Sequence, residues 1–328
     1  MAPPEKERSM KRIIAEASVQ YATGRSVPQQ QFASGTDLST YELWTKKKAL
    51  PKLIDELGGD ARLLWIGPKR LERVVLFLHE GAFLLPASAV LMSFWRYVQL
   101  KLEKENLEVG VALLSYSLAP DAVFPTPLKQ TGLALDFLLA AGVKPQNLQL
   151  AGASAGGNLV VQVLSQMLHP LAGVPEIRLP GPLRGALLIS PWVSLSGTSK
   201  SHRENDGRDI ISRSSLTAMG AQILKDVPAT DIAFIEAVRA PESWFDGVGR
   251  CVDRVMITAG GAEILRDDII AFGEAFKRHH EKTELVVQKG GLHVDVLFEA
   301  LLGEKAAGSV APLTIEWLAA GFSADPFA

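Results

Sequence analysis

The stretch from Leu148 to Leu168, LQLAGASAGGNLVVQVLSQML, decides the fold of this chain. It begins with a short apolar run that is typical of a buried strand, and from Asn158 onward its apolar residues recur at helical spacing. Between the two lies GASAG at residues 152–156, in which small residues flank a serine. A sharp strand-to-helix turn needs such neighbours, because larger side chains would collide with the strand or the helix. The stretch therefore predicts an exposed Ser154 hydroxyl at the positive N-terminus of a helix.

The rest of the chain repeats this alternation of strand and helix. Short runs rich in Val, Leu and Ile, as expected for strands buried on both faces, occur at Val74–Leu78, Val109–Ser115, Ala186–Ser190, Val255–Thr258 and Leu285–Gln288. Helical stretches such as Leu128–Ala141 and Asp267–His279 lie between most of them. This alternation predicts an α/β fold with a mostly parallel central sheet flanked by helices.

Two segments depart from the alternation. Residues 1–60 have the pattern of amphipathic helices, and the second of these is expected to run from Tyr41 to Leu57. Residues from about 196 to 248 begin with polar residues and end in an aromatic cluster. We expect residues 1–60 to be a helical cap segment that packs on its own protein rather than on a membrane surface. Residues 61–328 are expected to form the main α/β domain, with a cap insertion at 196–248.

The amino-acid composition limits which classes of molecule the protein is expected to bind. Of its 328 residues, 47% are apolar, which is enough for a large core, and the net charge of −2 gives no electrostatic case for nucleic acid. The single cysteine allows no intramolecular disulfide, the N-terminus lacks the apolar stretch of a signal peptide, and no window reads as a membrane span. These features predict a cytoplasmic protein that acts on a small molecule.

A serine hydroxyl is a weak nucleophile and needs a base. Of the six histidines, only His293 lies late in the chain in a loop directly after a predicted strand. Elbows of this kind take their partners in the chain order serine, acid, histidine, which favours His293. His279 and His280 fall on a predicted helix among charges, so we expect them in solvent, and we expect His169 and His202 on the surface or in the cap.

The acid is expected after the predicted strand at 255–258, where three carboxylates occur close together. Glu263 lies in the loop just beyond the strand. Asp267 and Asp268 occupy the cap and first turn of the next helix, where acidic residues are favoured by the helix dipole. We therefore predict that Glu263 orients the imidazole of His293, with Asp267 as the alternative.

The loop HEGAF at residues 79–83 contains the candidates for an oxyanion hole. Its small residues would let the backbone N–H groups of Gly81 and Ala82 approach the reacting atoms, with the N–H of Ala155 as a third donor. The alternative is an ordinary turn at the end of a strand. No histidine-and-carboxylate cluster has ligand spacing and no Gly-rich loop fits a dinucleotide, so neither a metal nor an organic cofactor is expected.

Together these motifs resemble the hormone-sensitive-lipase-like branch of the α/β-hydrolases, which are serine carboxylesterases. YSLAPDAVFP at residues 116–125 looks like the branch's Y-R-L-A-P-E-x-x-F-P, and EILRD at 263–267 resembles its D-x-L-x-D, with glutamate in place of aspartate. The resemblance spans residues 74–298 and implies the α/β-hydrolase fold, a helical cap over the site and a catalytic triad of Ser154, Glu263 and His293. It also allows a homodimer, because relatives often dimerise. A narrower similarity is to fungal esterases of secondary metabolism.

The oxyanion loop departs from the branch's H-G-G-G motif at Glu80 and Ala82. Alanine keeps its N–H group. A Glu80 carboxylate aimed at the oxyanion would oppose hydrolysis by Coulomb repulsion. Aimed away, Glu80 would be a structural partner of a neighbouring turn, and a third alternative is an acid or base in altered chemistry. Glu80 is therefore a candidate modulator of the site.

Three functions fit these residues. The first is hydrolysis of a carboxylic ester through an acyl-enzyme, with secondary-metabolite biosynthesis as the narrower hypothesis. The second is a biosynthetic acyltransferase, cyclase or lyase that uses the same triad on a polyketide-like intermediate. The third is a non-catalytic small-molecule receptor, against which the presence of Ser154, Glu263 and His293 together argues. We predict the first.

Overall fold

The computed structural model describes residues 9–302 and 310–323. Within them, a single sheet has the strand order β1-β2-β4-β3-β5-β6-β7-β8. The strands are β1 (Ile54–Gly58), β2 (Ala61–Trp65), β3 (Val74–Leu78), β4 (Gly110–Ser115), β5 (Leu148–Ala153), β6 (Gly185–Ile189), β7 (Val255–Gly260) and β8 (Thr283–Gln288). Strand β2 runs antiparallel to both of its neighbours, and the other pairs are parallel. The prediction of a mostly parallel sheet is confirmed.

Helices cover both faces of the sheet. They are α1 (Met10–Thr23), α2 (Val27–Ser34), α3 (Asp37–Lys48), α4 (Ala89–Lys104), α5 (Thr126–Ala140), α6 (Ala155–Leu168), α7 (Ser201–Glu204), α8 (Arg213–Leu224), α9 (Ile232–Ile235), α10 (Arg266–Lys277), α11 (Val296–Leu302) and α12 (Val310–Ser323). In the described ranges, none of them combines the length and the apolar character needed to cross a bilayer.

Strand β3, in the middle of the sheet, is apolar at every position because both of its faces are covered. In β3, Val74, Leu76 and Leu78 belong to the core cluster that contains residues of α5, α6 and α10. The intervening Val75 and Phe77 belong to the second cluster, with residues of α4 and α12. Since side chains alternate between faces along a strand, two buried faces favour apolar residues at successive positions. This is why the central strands were recognisable from the sequence.

The expectation of a helix running to Leu57 is wrong. Helix α3 ends at Lys48, and residues 54–58 form β1, which pairs with β2 at the edge of the sheet. Most of β1 is exposed or half-buried. An edge strand with one solvated face has too few apolar residues to show the signature of a buried strand.

The two segments predicted to form a cap, residues 1–60 and 196–248, contact other helices of the protein at several points. Helix α1 contacts α11, α3 contacts α4, and α9 of the 196–248 segment packs on α6. Because β3 and β5 to β8 run parallel, the loops that follow them all emerge at the carboxyl ends of the strands, which form one edge of the sheet. The candidate residues lie in these loops.

Candidate active site

Ser154 occupies the turn between β5 and α6 in a strained backbone conformation. Its φ of 53° and ψ of −115° are rarely adopted by residues other than glycine. The N–H of Ser154 donates to the carbonyl of Ile189, and its own carbonyl accepts from the N–H groups of Asn158 and Trp192. These bonds fix the strained turn. Ser154 is only 7% exposed, so the expected exposure of its hydroxyl is wrong, because neighbouring loops at the same sheet edge cover the turn.

The glycines of the elbow are required by close backbone approach. A Cβ on Gly152 would lie 2.2 Å from the carbonyl oxygen of Gly156, and a Cβ on Gly156 would lie 1.9 Å from that of Leu78. A Cβ on Gly157 would lie 2.8 Å from a side-chain carbon of Pro191. The start of α6 therefore packs directly on the end of β3, where the HEGAF loop begins.

We expect Gly156→Ala to lower the free energy of unfolding by about 3 kcal/mol, because the new methyl group meets rigid backbone and forces the elbow apart. Gly132→Ala in α5 is the matched control. Its Cβ would meet only Ile177 at an ordinary 3.8 Å, and alanine favours a helix interior by about 1 kcal/mol. Urea unfolding followed by circular dichroism measures both. Equal stabilities of the two variants would contradict the packing described here.

The structure brings Ser154, His293 and Glu263 together. Nε2 of His293 lies 2.9 Å from Oγ of Ser154, and its Nδ1 lies 3.1 Å from Oε1 of Glu263. The second carboxylate oxygen, Oε2, accepts from the Ser190 hydroxyl at 2.7 Å and from the N–H of Gly260 at 2.5 Å. With Nδ1–H donated to the carboxylate, Nε2 is left to accept the serine proton. The chain of contacts has the geometry of a nucleophile, a base and an orienting acid.

The pKa of His293 is raised above that of an ordinary histidine. Burial acts to lower this pKa, but it is outweighed by the hydrogen bond and negative charge of Glu263 together with the charges of Asp209 and Glu80. A base must be neutral to accept a proton. The raised pKa means that this imidazole loses its basic form on acidification at a higher pH than a free histidine does.

The alternative residues have other partners. Oδ2 of Asp267 accepts from the N–H of Ser201, and Asp268 lies 2.9 Å from Nε2 of His202. His280 is buried and bonded to the carbonyl of Val252. Its expected exposure to solvent is wrong, because α10 ends at Lys277 and the chain then turns inward.

The HEGAF loop turns through three consecutive residues with positive φ. The values are 109° at Gly81, 57° at Ala82 and 60° at Phe83. The carbonyl of Gly81 accepts from the N–H groups of Leu84 and Leu85. Among the described residues, no hydrogen bond found outside the regular helices and strands uses the N–H of Gly81, Ala82 or Ala155. These donors are therefore available to a ligand.

Glu80 contacts the start of α4. Its Oε1 accepts from the N–H of Ser88 at 3.1 Å, whereas its Oε2 is buried without a hydrogen-bond partner. Burial raises the pKa of this carboxyl, and the charge of His79 and the hydrogen bonds from Ser88 oppose that rise without cancelling it. Oε1 of Glu80 is thus held on the N–H of Ser88, at the start of α4.

His79 is fully buried and joins the loop to the N-terminal segment. Its Nδ1 lies 2.5 Å from the carbonyl oxygen of Glu80, its ring stacks on Tyr116, and its Nε2 lies 3.4 Å from Oδ2 of Asp37. Oδ1 of Asp37 accepts from the N–H of Ala87. Asp37 at the start of α3 thus contacts both ends of the loop 79–87.

Sequence reasoning missed several residues that hold this site. Ser190 could have been found, because it directly follows a strand at the same edge. The acidic residues have no signal in the local sequence, since each has a partner that is distant along the chain: Ala87 for Asp37, Ile264 for Asp209 and Arg12 for Asp295.

A small apolar cleft lies between the HEGAF loop, residues 122–127 and the helices α6, α8 and α9. Gln162 is the one polar side chain among its lining residues, which are Phe83, Ala122, Val123, Phe124, Pro127, Gln162, Ile223 and Ile235. In residues 9–302 and 310–323, no group of three His, Cys, Asp or Glu side chains is placed to hold a metal ion.

Known proteins resemble this chain in sequence and in fold. Residues 75–297 match a family described as having the alpha/beta hydrolase fold. An acetyl-hydrolase of Streptomyces hygroscopicus is 28% identical over 218 residues, which cover 66% of each chain. An esterase of Acinetobacter venetianus is 26% identical over 232 residues, 71% of this chain and 70% of that one. The crystal structure of an esterase from the bacterial hormone-sensitive lipase family superposes with a TM-score of 0.73 at 20% identity, covering 97% of this chain and all of that one.

Proposed function

This chain belongs to the α/β-hydrolase family, and on that premise we propose that it is a serine carboxylesterase that works through an acyl-enzyme. The observation that carries the proposal is the hydrogen-bonded sequence of Ser154, His293 and Glu263 at the carboxyl edge of the sheet. The names of the similar proteins, an acetyl-hydrolase and an esterase, support ester hydrolysis as the reaction.

In the proposed reaction, His293 removes the proton of Ser154 as its Oγ attacks the ester carbonyl. The imidazolium that forms is stabilised by the negative charge of Glu263, which does not take the proton itself. His293 then donates the proton to the departing alcohol and activates a water molecule that releases the acid. Two bonds to Oε2 of Glu263, from Ser190 and Gly260, support this role because they fix the carboxylate.

The N–H groups of Gly81, Ala82 and Ala155 are the proposed donors to the oxyanion. Preorganised donors at the developing negative charge account for much of the rate enhancement in acyl transfer. The apolar cleft beside Phe83 supports an uncharged substrate group, since it offers no ionic partner. In this proposal, residues 1–60 and 196–248 form the cap.

One observation favours a second function with the same triad. Oε2 of Glu80 is buried without a partner, and its carboxyl has a raised pKa, as a general acid requires. An acyltransferase, cyclase or lyase acting on a polyketide-like intermediate would use such a group. A role in secondary metabolism, a cytoplasmic location and a homodimer stay predictions.

The proposal is tested by covalent labelling together with hydrolysis. We expect a fluorophosphonate to add once, at Ser154, and p-nitrophenyl acetate to be cleaved, because both reagents need only an activated serine and oxyanion donors. Peptide mapping by mass spectrometry locates the label, and urea-unfolded protein is the control that should stay unlabelled. Absence of labelling in the folded protein would contradict every function that uses Ser154. Labelling without ester cleavage would favour the second function.

A further inference from the structure

We propose that Asp209 is a positioning residue that holds the loops of the acid and the base together by accepting a backbone N–H from each. The inference rests on the proposed function and deepens it, because it concerns the same site. Asp209 lies in the cap insertion, outside every motif that the sequence suggested.

The carboxylate of Asp209 bridges two loops that follow different strands. Its Oδ2 accepts from the N–H of Ile264 at 2.7 Å, directly after Glu263. Its Oδ1 accepts from the N–H of His293 itself at 2.9 Å, and also from that of Ile210 at 2.7 Å. Asp209 is 1% exposed. One side chain therefore fixes the spacing between the acid and the base.

The same segment is anchored on both sides. The N–H of Asp209 donates to the carbonyl of Asn205, whose Nδ2 donates in turn to the carbonyl of Glu263 at 2.8 Å. The carbonyl of Asp209 accepts from Nε2 of Gln20 in α1. These bonds hold the backbone of Asp209 in place, so that its carboxylate keeps its position between the loops of Glu263 and His293.

The loop of His293 needs such an anchor. The next residue, Val294, has a φ of 48°, which is strained for a β-branched side chain. A strained loop keeps its shape only when outside contacts hold it. The N–H of His293 is bound by Asp209 and the N–H of Val294 by Ser190. Without the first contact, the loop is free to relax and to move the imidazole.

The charge of Asp209 is maintained against its surroundings. Burial, together with the nearby charge of Glu263, raises its pKa to about 6, although the charge of His293 and the two N–H groups act in the opposite direction. A carboxyl whose pKa is higher in the folded than in the unfolded protein contributes stability at low pH. That contribution is lost as the pH rises through the pKa of the folded state. An ionised Asp209 at neutral pH is thus a cost to folding, which fits a role in the site better than a role in stability.

The test compares Asp209→Asn with the matched control Asp206→Asn. Asp206 lies in the same segment, is exposed and also accepts one backbone N–H, that of Arg213. In Asp209→Asn, one of the two loops faces an amide N–H₂ instead of an acceptor and is pushed away. Misplacing a reacting group by about 1 Å costs up to about 100-fold. We expect kcat for p-nitrophenyl acetate to fall at least about tenfold, with KM within about twofold since no substrate contact changes.

The pH profile separates positioning from simple structural support. The charge of Asp209 raises the pKa of His293, as do the charges of Glu263 and Glu80, which both variants keep. We therefore expect the acid limb of the pH profile of kcat/KM to move to lower pH in Asp209→Asn and to stay in place in Asp206→Asn.

Each outcome decides the inference. An Asp209→Asn enzyme with wild-type kcat, or one whose loss follows a lower melting temperature with an unmoved acid limb, would overturn it. Asp209→Ser is the second variant, and failure of both to fold would indicate a purely structural residue and would also overturn the inference. Failure of the proposed function is distinguishable, because it would appear in the wild-type protein as an unlabelled Ser154.

Discussion

Replacing Ser154 by alanine is expected to lower kcat for p-nitrophenyl acetate by about 10⁴-fold or more. The methyl group cannot attack the carbonyl, and His293 loses the hydroxyl that lies 2.9 Å from its Nε2. The oxyanion donors and the cleft remain, so binding is retained and only a residual rate over water is expected. Steady-state kinetics measures the loss, and the fluorophosphonate label should disappear with it.

Ser165→Ala is the matched control for this variant. Ser165 is a second buried serine, on the helix α6 that follows Ser154, and its hydroxyl accepts from Nε1 of Trp244 rather than contacting a histidine. Its replacement removes a buried hydroxyl without touching the elbow, so kcat should stay within a few-fold of wild type. An active Ser154→Ala enzyme would mean that another group is the nucleophile and would end the proposed mechanism.

The second large effect is expected for Glu263→Gln, at about 10³- to 10⁴-fold in kcat. The carboxylate accepts from Ser190 and Gly260 on Oε2 and contacts His293 through Oε1. Glutamine has one acceptor oxygen where two are used. Its N–H₂ must face either those donors or Nδ1 of the imidazole, and the second choice leaves Nε2 protonated and unable to act as a base.

The charge of the acid gives this variant a second readout. Glu263 raises the pKa of His293 above its ordinary value. Removing the negative charge of Glu263 should therefore move the acid limb of the pH profile of kcat/KM to lower pH. It should also lower the plateau value of kcat/KM. Asp267→Asn removes the alternative acid, whose Oδ2 accepts from Ser201, and it should leave both the limb and the plateau nearly unchanged. The opposite pattern in the two variants would exchange the roles of Glu263 and Asp267.

The family was predictable from four motifs, and the match over residues 75–297 confirms the α/β-hydrolase resemblance. The prediction succeeded because each motif is a short-range pattern. The small residues around Ser154 are demanded by atoms within the same turn and by the neighbouring strand end. Parallel strands bring the loops of the serine, the acid and the histidine to the same end of the sheet, and their order along the chain is the one expected for a nucleophile elbow of this kind.

The first two strands of the sheet, β1 and β2, were not predictable in the same way. Strands β1 and β2 were missed. Strand β1 is exposed or half-buried and over five residues resembles an amphipathic segment of either kind. Strand β2 is mostly buried, but it is only five residues long and Arg62 interrupts its apolar run. The direction of Glu80 was also left open between three alternatives. That direction depends on where the start of α4 lies, because Oε1 of Glu80 accepts from the N–H of Ser88 only once that helix has packed.

What the sequence by itself determined was the identity of the reacting groups, since strand, tight turn and helix follow from residues adjacent in the chain. Only the tertiary structure decided what holds those groups in place. Asp37, Asp209 and Asp295 bind backbone N–H groups of the loops around the site, and for two of them the partners lie 50 and 84 residues away. A buried carboxylate finds such partners through packing, and no local pattern of residues specifies which distant loop will be brought to it.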